Sequence, residues 1–414
     1  MYPIYNLLVH KANLFLKIKT LFDPKIKEFM QGRKETFQRI KEGNLKSGDE
    51  VVWVHAASLG EFEQGRPIIE KIRKQQPDSK IVLTFFSPSG YNVRKDYKEA
   101  DIVCYLPMDT CGNINKFLDM VKPTKAIIVK YEIWPNLLRG LKKRNINTIM
   151  VSGIFRKEQL FFKSYGGFMR EALKSFSFLF VQDENSKKLL NSIGIENTEV
   201  TGDSRFDRVF EITQQNNELD FVTEFVDGKH TLVCGSSWKD DEDLLVAYIN
   251  NHASDDEKII IAPHNIKGKG IEDLKNSIDK KVVLFSEKEG KNMVEYDVFI
   301  IDTIGILTKI YSYADVAYVG GGYTKSGIHN ILEPATFGVP ILIGPNYYKF
   351  KEAKDLIELG GCMVADNKDK IKGKLKEFLE NKEKREEIGK ISGDYVQSKL
   401  GATKKAFDYF YGAS

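Results

Sequence analysis

The feature that most constrains this chain is a set of short runs that are apolar on both sides of any extended backbone. VVWVHAA (51–57), KIVLTFF (80–86), KAIIVKY (125–131) and NTIMVSG (147–153) each end at a small, polar or turn-forming residue. A strand with one wet face alternates apolar and polar residues. These runs do not, so they read as strands of a parallel sheet covered on both faces. Between them lie stretches of helical length, such as 62–76 and 134–144, and strand alternating with helix predicts a doubly wound α/β domain. A polar interval over 204–229, containing QQNNELD, breaks the pattern. It then resumes with TLVCGSS (231–237), KIIIAP (258–263), VVLFS (282–286), VFIID (298–302), VAYVGGG (316–322) and PILIGP (340–345).

At 414 residues the chain exceeds what one core usually organises. The reading is therefore two Rossmann-like domains, 26–205 and 230–395, with 206–229 as a linker region. The stretch 367–410 is charged and helical, and 396–414 is expected to pack back on the first domain. Ligands of open parallel sheets bind beyond the carboxyl ends of the strands, so two such domains facing across a cleft would share a site there.

Composition narrows the partners. Lysine and arginine number 62 against 58 acids, a net charge of +4, which argues against a dedicated nucleic-acid binder. Four cysteines without C-x-x-C spacing suggest neither a zinc cage nor a disulfide framework. No run reaches the roughly 18 apolar residues of a spanning helix, and no signal-peptide pattern is present, so a cytoplasmic setting is expected. Residues 1–25 do carry Ile4, Leu7, Leu8, Leu14, Phe15, Ile18, Leu21 and Phe22 at helical spacing, with Lys11, Lys17 and Lys19 between them. Such a basic amphipathic helix either lies in a lipid interface or packs on the protein's own surface.

Several loops after these strands have the residue types that chemistry requires. In HAASLGEFEQG, small residues including Ser58 and Gly60 allow a tight turn into a helix that Glu61 opens. Glu61 is either a helix-start acid favoured by the dipole or a general base. Glu132 in VKYEIWPN (129–136) has the same two readings, before a proline suited to a helix start. Arg205 in VTGDSRFDRV (200–209) would pair with a phosphate or with Asp203 or Asp207.

In VGGGYTKSGIHNILEPATFGVPILIGPN (319–346), Gly320, Gly321 and Gly322 form a loop able to donate backbone N–H groups to phosphate. The loop fits neither the Walker nor the dinucleotide pattern. Glu333 would either close a capping box on Asn330 or accept from a ribose diol. His264 in IAPHNIKGKG (261–270) and Gly305 in IDTIGIL (301–307) complete the expected ligand wall.

Together HAASLGEFEQGRP, KYEIWPNLL, SGIFR, GDSRFD, IDTIGIL and GGGYTKSGIHNILEPATFGVPILIGPN resemble the successive motifs of bacterial Kdo transferases, over about residues 50–360. These enzymes attach 3-deoxy-D-manno-oct-2-ulosonic acid (Kdo) to the lipid A precursor. The resemblance implies a GT-B glycosyltransferase fold, with acceptor on the N-terminal domain and nucleotide sugar on the C-terminal one. It implies inverting transfer from CMP-Kdo to the precursor (lipid IVA), with no metal and no cofactor, at the cytoplasmic face of the inner membrane.

Carried over by position, Glu61 would be the proton acceptor, and Glu132 and Arg205 would stabilise the transition state. Pro263, His264, Ile304, Gly305, Ile306, Asn330, Ile331, Leu332 and Glu333 would contact the cytidine monophosphate. Gly321 and Gly322 are candidates for the donor phosphate, and Ser58 and Gly60 for the acceptor loop. Arg205 stands where the family pattern has lysine, and Asn-Ile-Lys follows His264 where proline and an acid are common. The alternatives by residue pattern are another GT-B nucleotide-sugar transferase, a nucleotide-sugar epimerase, or a two-lobed solute-binding protein.

Overall fold

The structure, a computed structural model, describes residues 2–266 and 268–412. Met1 of the N-terminal helix, Lys267 of the IAPHNIKGKG loop, and Ala413 and Ser414 of the C-terminal segment lie outside the described residues. The chain divides into two compact units, residues 1–208 with 400–414, and residues 209–399.

The first unit is built on seven parallel strands: β1 (Val51–Ala56), β2 (Lys80–Phe85), β3 (Ile102–Tyr105), β4 (Lys125–Val129), β5 (Asn147–Gly153), β6 (Phe178–Val181) and β7 (Thr198–Val200). Their order is β3-β2-β1-β4-β5-β6-β7, and the direction of winding reverses between β1 and β4. Period-two geometry explains the unbroken apolar runs. Val51 and Trp53 enter one core with Ile128, whereas Val52 and Val54 enter another with Ile127 and Phe407. The indole N–H of fully buried Trp53 is satisfied by Thr84 Oγ1 at 2.9 Å. Phe407 belongs to the chain's last helix, Ala402–Tyr411, whose start is held by Asp207 accepting the Gly401 and Thr403 N–H groups at 2.7 Å each.

The second unit repeats the plan with β8 (His230–Ser237), β9 (Glu257–Pro263), β10 (Val282–Leu284), β11 (Val298–Ile300), β12 (Val316–Val319), β13 (Ile341–Ile343) and β14 (Cys362–Val364). All are parallel, in the order β10-β11-β9-β8-β12-β13-β14, so the winding reverses between β8 and β12.

Residues 206–229, expected to be a linker, are largely helical: Arg205–Thr213 and Asp220–Val226. Val222 and Phe225 are fully buried with Val233 and Phe299. The polar QQNNELD is only the turn joining these helices, and its composition masked the helical spacing of Phe221, Val222 and Phe225. β3, β6, β7 and β14, each three or four residues long, are further strands that the sequence pattern did not single out.

Before β1 come α1 (Tyr2–Lys19) and α2 (Pro24–Glu42). One edge of α1 is fastened to the first unit. The Tyr5 hydroxyl donates to Asp109 at 2.7 Å, Asn136 Nδ2 donates to Asn6 at 2.7 Å, and the Tyr2 ring meets Phe168 edge-on. No α1 residue is fully buried, and Ile4, Leu7, Leu8, Leu14, Phe15 and Ile18 are all more than half exposed.

Asp109 also caps the helix Pro135–Lys143, accepting the N–H groups of Asn136 at 3.0 Å and Leu137 at 2.9 Å. Asp109→Ala should therefore leave two backbone donors and the Tyr5 hydroxyl without an acceptor. We expect a loss of about 1–3 kcal/mol in urea unfolding and faster amide exchange along α1.

Candidate functional site

In the first unit the candidate residues gather at the carboxyl ends of β1 and β4, where winding reverses and ligand crevices form. The helix α3 (Leu59–Gln75) starts just after β1 and carries Glu61 in its first turn. Ser58 sits at the N-cap, but its hydroxyl caps no backbone donor and instead donates to the Glu61 carboxylate. Lys130, the residue after β4, brings its ammonium to 3.7 Å from Glu61 Oε1, and the Glu61 side chain remains 20% exposed. The acid is thus paired yet still open to solvent. Lys130 holds φ of +59°, a left-handed backbone that is strained for a lysine, with its N–H bonded to Val151 O at 2.8 Å. Gly60 needs no such freedom: a Cβ there would lie 3.8 Å from Ser58 Oγ, so the turn does not depend on glycine.

Glu132 lies beside the same rim. Its Oε2 accepts the Trp134 indole N–H at 2.9 Å and stands 3.5 Å from Nε2 of buried His55 on β1. Burial pushes this carboxyl up, but His55 and the indole outweigh burial and hold it below the ordinary carboxylate value.

Arg205 pairs with Asp203, its Nε and terminal nitrogen each 2.9 Å from Oδ2. Asp203 also accepts Gln64 Nε2 of α3 at 2.7 Å, and the Ser204 hydroxyl bonds the Gln64 carbonyl. The GDSR turn is therefore braced on the helix that carries Glu61.

In the second unit the carboxyl ends of β8, β9 and β12 present a stack of flat rings. Trp238 lies on His264 with centroids 4.5 Å apart, and His264 lies on His329 at 4.5 Å. Burial and the neighbouring His264 pull His329 down to about 4, so it is neutral near pH 7 and accepts the Trp238 indole N–H at 3.0 Å. Beside the stack is a cavity of about 180 Å³ bordered by Ser237, Trp238, Pro263 and Asn265.

The glycine loop is not the free phosphate nest expected from sequence. Gly320 N–H is bonded to Gly235 O at 2.9 Å, and Gly321 N–H to the carboxylate of fully buried Asp241 at 2.8 Å. The glycines are needed for close packing. A Cβ on Gly322 would lie 2.5 Å from Gly344 Cα, and Gly321 has φ of +91° with Gly327 O only 2.6 Å from a Cβ. Asp241 also takes the Trp238 N–H at 2.9 Å and the Tyr318 hydroxyl at 2.8 Å, which binds the β8 and β12 loops into one body.

The remaining candidates fall into two adjoining loops. Thr308 donates to Glu333 at 3.4 Å, linking the loop of Ile304, Gly305 and Ile306 to that of Asn330 and Glu333. Ile304 is 80% exposed and Gly305 has φ of +94° with open space around it. The helix runs from Leu332, and Asn330 Oδ1 accepts the Leu332 N–H at 3.3 Å, which caps its first turn. The Asn330 side-chain amide also donates to Glu333 at 3.0 Å. Pro263, Ile331 and Leu332 are buried, so their side chains serve the core and only their backbone is available to a ligand.

Sequence reasoning missed Lys130, His55, Trp238 and Asp241. Lys130 stood inside the KYEIWPN motif, and Asp241 was visible as a first-turn acid in SSWKDDED. A backbone angle and a fully buried carboxylate are invisible in sequence.

Residues 31–208 match the family model described as 3-deoxy-D-manno-octulosonic-acid transferase (kdotransferase). These residues are similar to the domain that the model describes. Similarity runs beyond that domain. The 3-deoxy-D-manno-octulosonic acid transferase of Haemophilus influenzae is 26% identical over 86% of this chain and 86% of its own length. That of Aquifex aeolicus is 26% identical over 86% of this chain and 94% of its own.

Among solved structures, UDP-GlcNAc 2-epimerase from Neisseria meningitidis bound to UDP-GlcNAc superposes with a TM-score of 0.60 at 15% identity, covering 88% of this chain and all of that one. Acinetobacter baumannii MurG gives 0.52 at 11%, with the same coverage. The fold is GT-B.

Two outcomes test this geometry. A carboxylate held below its ordinary value of 4.5 stabilises the fold above that pH and loses its contribution as pH falls. Glu132→Gln should therefore unfold at lower temperature than the parent at pH 7, with the gap closing as pH drops below 4.5 in thermal melts. Gly322→Ala forces a Cβ onto the Gly344 backbone, so we expect about 1–3 kcal/mol of destabilisation in urea unfolding.

Proposed function

We propose that this chain is a glycosyltransferase that moves Kdo from CMP-Kdo to the lipid A precursor (lipid IVA) with inversion at the anomeric carbon, at the cytoplasmic face of the inner membrane. The observation that carries the reading is Glu61. It is a part-exposed carboxylate at the winding reversal of the first sheet, oriented by Ser58 and Lys130 within the matched domain. Glu61 accepts the proton of an acceptor hydroxyl as that oxygen attacks the anomeric carbon of Kdo. The bond from that carbon to the phosphate oxygen breaks, and cytidine monophosphate leaves with the electron pair.

The second unit holds the donor nucleotide. Exposed His264, which rests on both Trp238 and His329, offers its outer face to the base, and Glu333 faces the ribose beside the open backbone at Gly305. Arg205 and Glu132 act on developing charge, and the step calls on no metal or cofactor. The bare apolar stripe of α1 supports contact with the inner leaflet. Among the described residues no helix is long and apolar enough to cross a membrane.

Incubation with freshly generated CMP-Kdo and the precursor, read by mass, should give a Kdo-bearing lipid. Absence of product where a known Kdo transferase works would refute the reading. Glu61→Gln should lower turnover by roughly 10²–10⁴ while cytidine monophosphate still binds in preference to uridine diphosphate.

A further inference from the structure

A second feature of the first unit lies outside these candidate residues. Between α1, α2 and the loop after β3 is a cavity of about 620 Å³, within the range of small-ligand sites. Its polar lining is cationic or neutral: Lys17 from α1, and Lys27, Arg33 and Lys34 from α2, with Asn13, Gln31 and Asn113. No carboxylate lines it among the described residues.

Arg33 is the unusual member. It is only 6% exposed, yet among the described residues no acid pairs with it. One terminal nitrogen donates to Phe29 O at 2.9 Å and the other to Phe86 O at 2.5 Å, while Nε is buried with no partner. Its plane lies over the Phe29 ring at 3.6 Å, which fixes the guanidinium but supplies no counter-charge. Burial pulls it down to about 9, as expected for a cation removed from water without an anion. Asn13 Oδ1, in the same wall, is also buried without a partner. A fully buried charge without compensation is costly, so a built cavity around one calls for an anionic occupant.

The surroundings say what kind. Leu14, Phe15, Ile18, Leu21 and Phe22, on the same helix as Asn13 and Lys17 and the turn after it, are 53–82% exposed. An anion in the cavity would therefore stand beside a bare apolar stripe.

We propose that this cavity is a binding site for the phosphate of an anionic bilayer glycerophospholipid, with Arg33, Lys17, Lys27 and Lys34 on the headgroup and the exposed apolar residues of α1 against its acyl chains. Glu61 does not line the cavity, and binding there needs no nucleotide sugar. It extends the inner-leaflet contact of the proposed function from a general surface to a defined headgroup pocket, and its test reads binding, not transfer.

The intact chain would be sedimented with vesicles of phosphatidylcholine alone and of phosphatidylcholine with phosphatidylglycerol. Preference for the anionic vesicles should be at least tenfold. Lys27→Gln with Lys34→Gln should weaken that binding by roughly 30-fold, at about fivefold per lysine near the surface. Lys11→Gln with Lys19→Gln, an equal change of charge outside the cavity lining, should cost markedly less. Equal losses from the two pairs would overturn the pocket in favour of diffuse surface charge.

Arg33→Met tests the buried cation. If it melts like the parent it should lose anionic preference at least as strongly as the lysine pair, and unchanged binding would overturn the proposal. If it fails to fold, the two lysine pairs decide alone. Dihexanoyl phosphatidylglycerol below its micelle concentration should raise the melting temperature of the parent but not of the Lys27/Lys34 variant. A rise with inorganic phosphate as large as with the lipid would overturn the lipid assignment.

Discussion

A parallel sheet sealed on both faces has only its strand ends in contact with water, and this constraint organises both units. β1 and β4 spend their side chains on two cores, odd residues to one side and even to the other. Polar chemistry therefore gathers at the carboxyl ends of these strands, at His55 and in the residues just past Ala56 and Val129. Reversal of winding between the same two strands opens their loops apart, which leaves room for Glu61 beside Lys130 and for Glu132 beside His55. β8 and β12 repeat the arrangement, and there the space is occupied by rings and by a tightly packed glycine loop.

Buried acids do much of the positioning. Asp241 joins Trp238, Tyr318 and Gly321, Asp203 joins Arg205 to α3 through Gln64, and Asp109 joins a helix start to α1 through Tyr5. Each exchanges its hydration for donors on separate segments, so each holds several loops in one geometry. Two buried cations are held instead by carbonyls and a ring with no acid in contact: Lys258 in the second unit, and Arg33, which stands next to a helix that leaves its apolar residues bare.

The long strands were legible because a two-faced apolar run has few other uses in a chain of this composition. β7 and β14 were not, since they owe their state to their neighbours in the sheet and not to local pattern. The helix Asp220–Val226 was hidden by the polar turn before it. Glu61, Glu132 and Arg205 were legible through motif and position, but their partners were not. Asp203 was one of two candidate mates for Arg205, and Lys130 and His55 come from other segments. The glycine loop had the composition of a phosphate nest, yet the N–H groups of Gly320 and Gly321 serve Gly235 and Asp241.

What the sequence determined by itself was the class of fold, the order of its motifs and the amphipathic character of the N-terminus, because periodicity and burial are local and repeat along the chain. Tertiary structure alone decided which acids are paired, which glycines are structural and which cations are left buried without a counter-charge. Those outcomes depend on distances between residues far apart in the chain, and on the removal of water around them. A linear pattern carries neither.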